Sequence, residues 1–286
     1  MAVRPFPRRK VPGGTVPGRE KRMSILTTKI SDTVYEFTES ADFDGSGVMR
    51  PYVDAYLVIG KDKALVIDAL QKEEGLYGEV RKITELPLEV LITHGHLDHA
   101  GASLPAFYEA GIPIHMDLSD YDLLTGSVPT TRREFFTPLV PGESFDIGDF
   151  SFEAVPCPGH TPGCYVFLDR ENGLLFSGDS IGSGMIWLQL PCCTPISVYR
   201  DSVQALWEKT KDLENLLIYP GHRNQSPEQL VGRYVKDNLD IAEGILDGSL
   251  AGEEQVMDFH GKELRFRLLS RGQMRMFCYN PENVTI

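Results

Sequence analysis

The stretch Thr93-His94-Gly95-His96-Leu97-Asp98-His99 decides how this chain reads. Three of the seven histidines stand there within six residues, with a carboxylate between them. It follows Leu88-Glu89-Val90-Leu91-Ile92, a short apolar run that reads as a buried strand. Imidazole suits zinc and other borderline metals, and a carboxylate adds a harder ligand and negative charge. His94 and His96 are two apart, so an extended backbone projects both to one side. If a helix starts next, Asp98 and His99 leave its first turn toward the same space. A set of polar ligands at the end of an apolar strand points to a metal site at that sheet edge.

Working outward, three further motifs carry residues of the same type. They are Pro158-Gly159-His160-Thr161-Pro162-Gly163, Phe176-Ser177-Gly178-Asp179-Ser180 and Tyr219-Pro220-Gly221-His222. With Thr-His-x-His-x-Asp-His ahead of them, the four motifs resemble the metallo-β-lactamase-fold superfamily in type and order, over about residues 50 to 225. The resemblance implies an α/β fold of αββα type, two mixed β-sheets flanked by helices. It also implies two metal positions. His94, His96 and His160 would hold one, Asp98, His99 and His222 the other, and Asp179 would bridge them. Two Zn2+ per chain are expected, with iron or manganese as alternatives. The chemistry implied is a dinuclear zinc hydrolase that attacks an ester, lactone, thioester or amide with a metal-bridging hydroxide. Asp98 is the residue expected to orient the nucleophile and help protonate the leaving group.

Relatives on the same ligand set narrow the reading. Asp179 sets the chain apart from the family's true β-lactamases and toward glyoxalase-II-like thioesterases, lactonases and phosphodiesterases. His96 stands where diiron reductases usually carry glutamate. β-Lactamase or phosphodiesterase activity, or an iron-dependent persulfide dioxygenase, remain the alternatives.

The chain has 286 residues, 42% of them hydrophobic, enough for a sizeable core. No apolar run approaches the roughly 20 residues of a membrane span. The formal net charge is −13; residues 1–22 hold seven Arg or Lys and one Glu, a net +6, which leaves −19 on residues 23–286. An acidic body disfavours nucleic acid and anionic membrane as partners and favours a small-molecule substrate. The basic stretch 1–22 lacks an apolar centre, so it reads as a disordered extension rather than an export signal. The expected division is therefore 1–22 extension, 23–225 catalytic domain, and 226–286 a C-terminal helix and β-hairpin packed on it. Without an export signal, the five cysteines read as reduced thiols of a cytoplasmic protein. Cys157 and the pair Cys192-Cys193 read as buried small residues, the pair with pocket lining as the alternative.

Strands are expected over 25–30, 34–37, 54–60, 64–68, 112–115, 144–147, 151–155, 165–168, 174–176 and 215–219, and helices over 75–86, 103–110, 118–124, 198–213 and 227–246. Residues 264–268 and 274–279 alternate as a hairpin, and 38–50 and 125–138 read as loops. Asp68 ends a strand and is either an outer partner of the ligands or a turn cap. His115 reads as a core or surface residue rather than a ligand, and Arg132 and Arg133 as solvated charges, with contact to an anionic substrate as the alternative. The apolar stretch 181–195 follows Asp179 and contains Met185 and Trp187, which are candidates for substrate binding; core packing or a homodimer contact are its other roles.

Overall fold

In the computed structural model of the chain, residues 25–41, 48–72, 74–125, 131–226, 228–259, 261–272 and 274–285 are described. The basic stretch 1–22 and the centre of the expected loop over 38–50 lie outside them. The first sheet runs β1 (Leu26–Lys29), β2 (Val34–Ala41), β3 (Arg50–Ile59), β4 (Ala64–Ile67), β5 (Leu88–Leu91), β6 (Ile114–Met116) and β7 (Phe136–Pro138) in spatial order. It is antiparallel from β1 to β4 and parallel from β4 to β7. The parallel half needs crossovers, which α1 (Leu76–Ile83), α2 (Leu104–Glu109) and α3 (Tyr121–Thr125) supply.

The second sheet is formed by β8 (Ser144–Asp146), β9 (Ser151–Pro156), β10 (Tyr165–Asp169), β11 (Leu174–Gly178), β13 (Leu217–Pro220) and β14 (Leu230–Val231). Between β11 and β13 the chain makes β12 (Met185–Leu188) and the helix α4 (Ile196–Thr210). After β14 come α5 (Arg233–Leu246) and three more strands, β15 (Glu253–Phe259), β16 (Lys262–Arg271) and β17 (Met274–Tyr279). These three join β12 in a third, four-stranded sheet of order β12-β17-β16-β15.

Period-two alternation sorts the apolar residues into layers. In β4, Ala64 and Val66 pack outward with Leu76 and Val80 of α1, while Leu65 and Ile67 face the second sheet. In β10, Tyr165 and Phe167 face the first sheet, and Val166 and Leu168 meet Tyr199 and Val203 of α4. The result is helix, sheet, sheet, helix, the αββα sandwich. Phe152, Phe167 and Phe176 are fully buried between the sheets. Burial of each such side chain contributes roughly 1.5–3 kcal/mol.

Several local expectations are corrected. The helix expected over 227–246 begins at Arg233, because Leu230 and Val231 first pair with β13. Residues 136–138, read as loop, form an edge strand beside β6. The stretch 181–195 contains β12, whose parallel pairing with β17 fixes Trp187 opposite Cys278. The terminal hairpin gains a third strand, β15, whose mostly exposed residues carry too weak an apolar alternation to mark it.

Candidate metal centre

Each motif singled out above follows the C-terminal end of a strand. Thr93 to His99 follow β5, His160 follows β9, Asp179 follows β11 and His222 follows β13. After His96 the chain makes a tight turn, His99 and Ala100 both donating to the His96 carbonyl, and α2 starts only at Leu104. Asp98 and His99 thus reach the site from a turn, not from a helix start.

All seven side chains converge. Ligand atoms of His94, His96 and His160 lie within 4.8 Å of one another, as do those of Asp98, His99 and His222. Asp179 lies between the two sets: Oδ2 is 3.2 Å from His222 Nε2 and 3.8 Å from His160 Nε2, and Oδ1 is 3.6 Å from His99 Nε2.

The outward nitrogens show which atoms face the centre. His160 Nδ1 donates to the Trp187 carbonyl at 2.7 Å, and His222 Nδ1 to the Tyr52 carbonyl at 2.6 Å. His99 Nδ1 donates to Asp68 Oδ2 at 2.8 Å. Thr93 Oγ1 gives its proton to Asp68 at 2.9 Å and is therefore free to accept from His94 Nδ1, 3.1 Å away. Four imidazoles are thus anchored through Nδ1 and present Nε2 to the cavity. His96 is reversed: its Nδ1 faces His94 Nε2 at 3.1 Å and His160 Nε2 at 2.9 Å. Its Nε2 points to Cys192 Sγ at 3.5 Å. Outer acceptors that fix tautomer and ring direction are the usual support of metal-ligating histidines.

Asp68 resolves as an outer partner. Its carboxylate also accepts from the Thr93 amide at 2.8 Å. The residue has φ 64°, a left-handed conformation that costs a non-glycine residue of order 1–2 kcal/mol. Three donors on one buried carboxylate offset that strain.

Electrostatics fit a cation pair. Burial, with His96 and other imidazoles nearby, pushes His94 well below its ordinary range and His160 to about 4, so both are neutral and offer lone pairs. Burial opposes charge at His99 and His222 too, but Asp179 and the other carboxylates prevail, raising His99 to about 9 and His222 well above its usual value. The same contacts hold Asp98 and Asp179 well below the carboxylate range against their burial. A metal would replace the protons on this second set. His99 Nε2 is buried without a hydrogen-bond partner. A buried nitrogen without a hydrogen-bond partner at that position fits a metal ligand.

A cavity of about 830 Å³ opens on the centre. Met185 and Trp187 line it, as do Leu97, Leu123, Leu190 and Phe259. No Lys or Arg is among its described lining residues. His115 lies away from the centre, buried against Phe145 with Glu89 at 3.2 Å. Arg132 and Arg133 lie over the rings of Tyr108 and Tyr121. Cys157 is core, its thiol pushed up to about 12 by burial.

Cys192 departs from the expectation of a buried small residue. It is half-buried against His96, and Cys193 and His96 pull its thiol down in spite of burial. Sequence reasoning also missed Tyr52, whose hydroxyl donates to Asp98 Oδ2 at 2.8 Å. Its carbonyl holds His222, so one residue steadies two side chains of the second set. Tyr52 falls between the loop expected over 38–50 and the strand expected over 54–60, and no sequence signal marks it; the structure places it in β3.

Gly221 is required by close approach. A Cβ there would lie 2.3 Å from His99 Cε1 and 2.7 Å from Asp179 Oδ1. Gly221→Ala is expected to lower metal affinity at the Asp98, His99 and His222 position by at least about tenfold, the scale on which displaced ligand support acts. Titration with a chromophoric chelator measures it; unchanged affinity would show that His99 is free to move.

Known proteins place the chain. Hydroxyacylglutathione hydrolase GloC of Haemophilus influenzae is 32% identical over 137 residues, 43% of this chain and 63% of that protein. An acyl-coenzyme A thioesterase of Gallus gallus is 30% identical over 200 residues, 59% of this chain and 72% of that protein. A mitochondrial persulfide dioxygenase of Bos taurus is 34% identical over 168 residues, 56% and 59% of the two chains. The chain thus spans under two thirds of the first and third of these relatives. A metallo-beta-lactamase from Pontibacter korlensis shares the fold with a TM-score of 0.59 at 20% identity, over 77% of this chain and 99% of that one. The metallo-beta-lactamase superfamily profile matches residues 49–222, a span that runs from the strand carrying Tyr52 to His222 itself, and the chain belongs to that superfamily.

Proposed function

We propose that the protein is a dinuclear zinc hydrolase of a neutral carbonyl substrate, an ester, lactone or thioester with an apolar acyl part. The observation that carries this reading is the convergence of five imidazoles and two carboxylates whose outward nitrogens are already engaged. His94, His96 and His160 would hold one cation and Asp98, His99 and His222 the other, with Asp179 between them. Cations held by these residues would acidify a bound water and would polarise the scissile carbonyl.

The chain's own residues do the rest. Asp98 is partly exposed to the cavity, ionised, and oriented by the Tyr52 hydroxyl. It can take a proton from the nucleophile and return it to the leaving group. The apolar wall removes an acyl chain from water, at about 25 cal/mol per Å². No Lys or Arg is among the described lining residues, so the cavity wall offers no long basic side chain to hold a polyanionic leaving group. That one relative is named a hydrolase and another a thioesterase supports the reaction class.

The test pairs metal analysis with substrate choice. Protein purified without chelator should carry about two equivalents of metal, mainly zinc. Acyl lactones, aryl esters and thioesters should exceed bis-nitrophenyl phosphate and a chromogenic cephalosporin in kcat/KM. Trp187→Ala should raise KM more for long acyl chains than for short ones. Preference for the phosphodiester or the cephalosporin would overturn the substrate class. A single tightly held iron with no ester turnover would favour the persulfide chemistry of the Bos taurus relative instead.

A further inference from the structure

We infer that Asp120 is the positioning residue of the three-histidine position: its carboxylate joins the His94–His96 loop to the His160 loop and thereby sets the spacing of all three imidazoles. Asp120 ends the 3-10 turn Leu118–Asp120 between β6 and α3, a segment that contributes none of the seven converging side chains. It is fully buried.

Three donors meet on its carboxylate. Oδ2 accepts from the Gly95 amide at 2.9 Å and from Thr161 Oγ1 at 2.6 Å. Oδ1 accepts from the Gly163 amide at 2.8 Å. Gly95 stands between His94 and His96, and Thr161 follows His160 directly. Both loops also close sterically on this residue. A Cβ on Gly95 would lie 2.6 Å from Asp120 Cβ, and one on Gly163 would lie 2.6 Å from its Cγ. Neither loop can approach Asp120 in this way unless it carries glycine there.

An acceptor-only side chain is needed. An asparagine would turn its amide NH2 toward either the Gly163 amide or the pair formed by Gly95 and Thr161. One loop would then face a donor with a donor and move away, carrying its histidine. The second set has its own supports, Asp68 on His99 and Tyr52 on Asp98 and His222. Asp120 makes no hydrogen bond to Asp98, His99 or His222, so its loss should fall first on the three-histidine position, while these contacts hold the second set in place.

The inference rests on assigning His94, His96 and His160 to one cation, and cobalt(II) titration separates the two ideas. The metal-stripped parent should bind cobalt in two steps, each with its own visible spectrum. Asp120→Asn should weaken the three-histidine step by about 10- to 100-fold, the range for lost outer partners of metal ligands, and leave the other step within about twofold. Because this variant can also fold poorly, Thr161→Ala and Thr161→Ser serve beside it. Removal of the hydroxyl should weaken the same step selectively, and serine should restore it. A general structural role would weaken both steps together or lower only the melting temperature, and either result overturns the inference. A parent that binds no cobalt at the three histidines overturns the metal assignment and the inference with it.

Discussion

Asp98→Ala should lower kcat by about 10²- to 10⁴-fold, the usual contribution of a positioned acid-base group, with little loss of fold. The carboxylate is held by Tyr52 Oη at 2.8 Å and lies 3.5 Å from His222 Nε2 and 4.0 Å from His99 Nε2. It borders the cavity, so truncation leaves solvent-accessible space rather than a dry void. Asp98→Asn keeps the shape and removes the charge, and should be nearly as inactive. His115→Ala is the control for turnover. Its ring packs on Phe145 and faces Glu89, so its loss should cost stability but leave kcat within about threefold. Near-native kcat for Asp98→Ala with full metal content would remove Asp98 from the reaction.

Removal of metal should lower the melting temperature by at least about 10 °C, the effect of a single cation. A cation that binds the folded chain alone stabilises it by about 4 kcal/mol at a thousand times its Kd. For a chain of this size each kcal/mol moves Tm by roughly 2–4 °C. Without cations the centre holds facing imidazole nitrogens, two close carboxylates and the unpartnered His99 Nε2. Calorimetry before and after chelation, with elemental analysis of both samples, measures the shift. An unchanged Tm in protein shown to be metal-free would mean that the seven side chains hold their places without a cation.

What the chain's own pattern determined is the part that depends on neighbours in sequence. The His-x-His-x-Asp-His spacing is local, and so is the alternation that sorts Leu65 and Ile67 from Ala64 and Val66. Most strands, most helices and the His94 to His99 cluster could be read from such intervals, because each depends on backbone periodicity or on the chemistry of one short motif; His160, Asp179 and His222 came from the resemblance of the four motifs to the superfamily. What only the tertiary structure decided depends on separation. Tyr52 meets Asp98 across 46 residues, Thr161 meets Asp120 across 41, and Cys192 meets His96 across 96. None of these pairs leaves a periodic trace, since the contact is made by strand order and loop packing. Strand β12 shows the same limit: Met185-Ile186-Trp187-Leu188 is an apolar run from sequence alone, and only pairing with β17, some ninety residues on, makes it a wall of the cavity. The carboxylates Asp68 and Asp120 are the sharpest case. One residue type was readable at each position, but its work is set by three donors that folding alone brings to it.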